Sequence, residues 1–111
     1  GDPDGMGYAR FLFSPNTGEM CYALAAQNIT LPAVGAHLHR APAGSPGPIV
    51  VPLTPPDASG MSSGCVMVDK ALVAEILADP SAFYVNVHTT DYRPGAIRGQ
   101  LSVPPFWGGG M

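Results

Sequence analysis

Turn-forming clusters cut this chain into short stretches, and within each stretch apolar residues recur at every second position. "PNTGE" follows Tyr8–Ser14, "RAPAGSPGP" precedes Ile49–Leu53 and "TPPDASGMSSG" precedes Cys65–Val68. Tyr8–Ser14 sets Ala9, Phe11 and Phe13 on one face and Tyr8, Arg10 and Leu12 on the other. A period of two belongs to strands, and proline and glycine at this spacing interrupt any long helix. The 14 Gly and 13 Pro among 111 residues approach the composition of disordered chains, yet 46% of the residues are hydrophobic. A compact, turn-rich β domain reconciles the two.

Tyr8–Ser14 and Met20–Ala26 read as a hairpin, and Ala33–His39, Ile49–Leu53 and Cys65–Val68 as further strands. Phe83–His88 and Gly95–Val103 close the series, joined by a turn with Pro94-Gly95. One helix is expected over about 69–78, capped by Asp69, with Leu72, Val73, Ile76 and Leu77 on one face and Asp79-Pro80 as its stop. This predicts a mostly β fold: a Greek-key-like β-sandwich or barrel of about seven short antiparallel strands with one short helix. Residues 8–103 are expected to form the single domain, between a flexible N-terminus (1–7) and a flexible C-terminal tail (104–111).

Charge excludes some functions. Five basic residues against eight acidic ones, net −3 and without a basic run, cannot neutralise a phosphate track, so no nucleic acid is expected. No apolar stretch reaches membrane-spanning length. Cys21 and Cys65 are either two buried thiols or a disulfide. The bridge is expected, because it would close a loop of about 44 residues and add about 4 kcal/mol by chain-entropy reasoning to a small, loop-rich domain. It points to an extracellular or periplasmic location. No leader pattern is evident, so the sequence is read as a mature form. Asn28–Thr30 fits the glycosylation sequon, a pattern short enough to recur by chance.

All three histidines lie in two strand-like stretches, "GAHLHR" (Gly35–Arg40) and "YVNVHT" (Tyr84–Thr89). Alternation puts His37 and His39 on one face with Leu38 opposite, and Tyr84, Asn86 and His88 on one face with Val85 and Val87 opposite. Each strand therefore has an apolar face and a polar one, and every imidazole is on the polar one. Two imidazoles two residues apart on a strand, joined by a third from another strand, offer three nitrogens to one transition metal and leave a further position open. Three unrelated surface histidines are the plainer alternative. The fourth ligand is left among Tyr84, Asp91, Tyr92 and water. Arg98, across the last hairpin, is either an ordinary surface arginine or a cation guiding a small anion to the open position.

The stretches "AHLHRAPAG", "YVNVHT" and "GAIRGQL" resemble the CHRD domain, the module first described in chordin and common in secreted bacterial proteins, over roughly residues 8–103. "GAHLH" is similar to the G-x-H-x-H strand of copper–zinc superoxide dismutases. There the two histidines hold copper on the outside of a Greek-key barrel, beside an arginine and with an intramolecular disulfide. His37 and His39 match that motif; His88, Arg98 and Cys21/Cys65 match only in type. With no fourth copper histidine and no histidine-rich zinc loop, the resemblance implies at most a mononuclear centre.

Three functions follow from these readings. One is a mononuclear superoxide dismutase, with copper as the first candidate metal, iron the second and zinc a third, and Arg98 steering superoxide. The next is a metal-binding or storage domain without turnover. The last is a protein-interaction module of chordin type, using Tyr92 and Arg93 or the terminal "PPFW". A homo-oligomer is compatible with each, and no protein partner is identified.

Overall fold

The first two alternating stretches form an antiparallel hairpin in the computed structural model of the chain, which describes residues 1–102. Its strands, β1 (Met6–Ser14) and β2 (Glu19–Gln27), are joined by β5 (Met61–Met67) in a three-stranded sheet of order β1-β2-β5. A second antiparallel sheet has the order β4-β3-β6-β7, from β3 (Gly35–Arg40), β4 (Ile49–Leu53), β6 (Phe83–His88) and β7 (Ile97–Gln100). The two sheets face each other but do not close on one another, so the sandwich form of the expected fold is observed and the barrel form is not.

The core lies between the sheets, and the period-two pattern builds it. Met20, Tyr22 and Leu24 point inward from β2, Ala36 and Leu38 from β3, and Phe83, Val85 and Val87 from β6. Ala9, Phe11 and Phe13 pack against this cluster from β1, as their alternation requires. The helix α1 (Lys70–Ala78) covers one side with Val73 and Ile76. Asp69 caps it, its carboxylate accepting from the Ala71 N–H at 3.2 Å. Leu77, expected on the buried face, is about half exposed, because the helix presents a narrower stripe. Arg40 bonds Glu75 of this helix through Nε and Nη2 at 2.8 and 2.7 Å, tying β3 to α1.

Several element boundaries differ from expectation; β3, for one, begins at Gly35 rather than Ala33, and β7 at Ile97 rather than Gly95. β1 begins at Met6, two residues before Tyr8, and the Asp2 N–H bonds the Ala96 carbonyl at 2.9 Å. β5 begins at Met61 rather than Cys65 and β7 ends at Gln100, short of Val103. Ser62, Ser63 and Gly64 have little strand preference of their own; pairing with Leu24, Ala23 and Tyr22 of β2 decides their conformation. Cys21 and Cys65 face each other in this pairing and form the expected disulfide, which implies maturation in a non-reducing compartment. No helix among the described residues is long and apolar enough to cross a membrane. The expected tail 104–111 and "PPFW" lie outside the described residues.

Candidate metal centre

The second sheet has its apolar side in the core, so the alternating residues of β3 and β6 stand on its outer face. His37 is paired with Asn86, His39 with Tyr84, and Gly35 with His88. His37 and His88 lean together over Gly35, with ring centroids 5.0 Å apart. The three histidines expected to act together do meet: one nitrogen from each lies within 4.8 Å of the others.

Backbone carbonyls behind the rings select the tautomers. His39 Nδ1 is 2.9 Å from the Gly47 carbonyl oxygen, and His88 Nδ1 is 2.7 Å from that of Arg93. A carbonyl only accepts, so in each neutral ring Nδ1 carries the proton and Nε2 keeps its lone pair. His88 Nε2 then accepts from Nδ1–H of His37 at 3.1 Å, a hydrogen bond whose proton a metal ion would displace. Tetrahedral ligands at about 2.0–2.1 Å from a metal stand about 3.3 Å apart, so this pair is already at ligand spacing. His39 Nε2 is buried without a hydrogen-bond partner. An unpartnered buried acceptor costs roughly 1–3 kcal/mol, and a cation among the three rings would offset it. Orientation of ligating imidazoles by carbonyls on their far nitrogens is the usual support of a metal site.

The electrostatics agree. Burial, then the neighbouring charges of His88 and His39, push the His37 pKa below 6.5, which favours the neutral, ligating form. Among the described residues no carboxylate joins this cluster. Glu19 lies beside Cys21 and Cys65, but the disulfide removes the thiolates that would bind a metal there.

The polar face is roofed over His39, Tyr84 and Asn86, while His37 and His88 stay half-buried. Tyr84 is 2% exposed and His39 and Asn86 each 8%. The loop between β3 and β4 lies over His39 and Tyr84; the Gly47 N–H donates to the Tyr84 hydroxyl at 3.1 Å. Gly47 needs to be glycine for this approach, since a Cβ there would strike the Arg40 carbonyl. Beneath the roof a shallow cleft of about 390 Å³ is lined by His39, His88, Tyr84, Asn86 and Arg98 among others.

Of the suggested fourth ligands, Tyr84 stacks its ring on His39 (centroids 4.7 Å apart, 7° between planes) while its hydroxyl is engaged at Gly47. Asp91 accepts from Thr30 Oγ1 at 3.0 Å, and bonds from Thr89 and Thr30 hold its pKa low. Tyr92 takes part in the turn after β6 through its backbone. Arg98 reaches the cleft, but its guanidinium lies 3.5 Å over the Tyr84 ring, and Nη2 donates to the Pro42 carbonyl and Gln100 Oε1. It stands on the β7 side of Tyr84, with His39 on the β3 side. Sequence reasoning missed Gly47 and Arg93, which act through backbone oxygens; only the Pro46-Gly47-Pro48 run hinted at a shaped loop.

No curated protein and no solved structure matches this chain. The CHRD domain family profile matches residues 1–101, nearly its full length and containing every residue of the site. The chain belongs to the CHRD domain family.

Proposed function

We propose that this CHRD domain is an extracellular or periplasmic module that holds one transition metal ion between His37, His39 and His88. The observation carrying this reading is the convergence of three ring nitrogens, two of them kept as lone-pair donors by carbonyls on the opposite side of the ring and one of these, His39 Nε2, without any partner. Imidazole donors suit copper first, with iron and zinc behind it. Three protein nitrogens leave room for a small ligand, and we propose superoxide dismutation as the activity. Two superoxide ions and two protons become dioxygen and hydrogen peroxide, and a redox-active ion supplies the one-electron steps. The protein's part is to fix the rings and exclude bulk water beneath the Gly47 loop, while Arg98 adds positive charge beside the cleft.

Arg98 favours a second reading, metal binding without turnover. Its Nη2 is committed to Pro42 and Gln100 and the Tyr84 ring separates it from His39, an arrangement that pins the roof as readily as it attracts an anion. The copper- or iron-loaded domain, assayed for superoxide dismutation beside His37→Ala, separates the two. Dismutation that disappears in the variant supports the enzyme. A loaded domain that leaves superoxide decay at the rate of free buffer supports the binding module.

A further inference from the structure

Among the described residues, two buried side-chain atoms have no hydrogen-bond partner: His39 Nε2 and Asn86 Oδ1. The proposed ion accounts for the first. The second belongs to a residue directly across from His37 and two places before His88 on the same strand face. Asn86 thus stands in the frame made by the three histidines, and it lines the same cleft as His39 and His88. Its amide is fixed at the other end, where Nδ2 donates to the Pro94 carbonyl at 3.2 Å and leaves Oδ1 as the unused end. The covering segment makes room for that orientation. Gly95 has φ +145°, and a Cβ on it would collide with Oδ1.

We infer that Asn86 Oδ1 is the fourth protein donor to the ion, completing a set of three nitrogens and one oxygen. This rests on the three-histidine reading. A lone pair sealed from water and lining the cleft it shares with His39 and His88 is satisfied by a cation there as it would be by a donor hydrogen. An amide oxygen is harder than sulfur, so the set selects zinc, cobalt(II), iron(II) or copper(II) over copper(I). A small exogenous ligand then binds by expansion to five-coordination.

Cobalt(II) tests this directly, because its visible absorption reports the ligand set. The wild-type domain, Asn86→Asp and Asn86→Leu are titrated with cobalt, and thermal melting of the metal-free forms verifies folding. Should Asn86→Leu fail to fold, Asn86→Ala takes its place. Wild type takes up one equivalent; Asn86→Asp, which keeps the oxygen and loses Nδ2, binds at least as tightly. Asn86→Leu binds roughly tenfold more weakly or worse, with a changed absorption band. The inference is overturned if the leucine variant keeps wild-type affinity and band. It is equally overturned if the aspartate and leucine variants weaken together, since both lose the bond to Pro94. A wild-type domain that takes up no cobalt overturns the three-histidine reading itself.

Discussion

His37 differs from its two companions in having no carbonyl behind it to set its tautomer; its Nδ1 faces His88 instead. Its pKa, pushed below 6.5 by burial and then by the other two imidazoles, links the site to stability. When unfolded, His37 takes up a proton near pH 6.5; when folded, it does so at lower pH. Between those values the unfolded chain binds more protons, so the metal-free domain loses stability as pH falls from about 6.5, while above that pH the contribution is fully present. Urea midpoints of the metal-free protein at pH 7.5 and 5.5 should show the drop, and His37→Ala should reduce it. A midpoint that rises on acidification contradicts the assignment. The residue-scale pattern was legible from alternation alone: once Leu38, Val85 and Val87 belong to the core, His37, His39 and His88 belong together on the other face. Asn86 and Tyr84 share that face by the same rule, but their burial was not legible, because the segments that cover them are distant in sequence.

The element that most shapes the site is the loop between β3 and β4. It is held from below by three bonds: Gly47 N–H to Tyr84, Arg98 to the Pro42 carbonyl and Gln100 Nε2 to the Ala41 carbonyl at 3.0 Å. Its return is one backbone carbonyl that fixes His39. Such an arrangement leaves almost no trace in sequence, since any residue has a carbonyl and only the close approach demands glycine. The Gly47→Ala change should displace the loop, because its Cβ would meet the Arg40 carbonyl. A loss of about 10- to 100-fold in metal affinity is expected, the usual effect of removing a ligand's supporting partner. Overpacking should also cost about 1–3 kcal/mol of stability. Calorimetric metal titration and urea unfolding measure the two effects, and an unchanged affinity would show that the Gly47 carbonyl does not orient His39. β5 illustrates the same limit: Met61–Gly64 lacks strand character, and its partner strand alone reveals it.

On the scale of the whole molecule, the sandwich separates two tasks. The inter-sheet core and the Cys21–Cys65 bridge hold the fold, and the outer face of the four-stranded sheet carries the three-histidine cluster. Turn density and period-two patterning made the strand count and the single helix readable, but not whether the sheets close, which depends on strand order and pairing. The central claim is that this face binds one transition metal ion through His37, His39 and His88. Copper content of the copper-loaded domain after exhaustive dialysis, with His37→Ala, His39→Ala and His88→Ala alongside, tests it most directly. One copper per wild-type chain is expected, with affinity reduced by more than about 100-fold in each variant, beyond the effect of losing a supporting partner. Copper retained equally by the wild type and all three variants, or by none of the four, would contradict it.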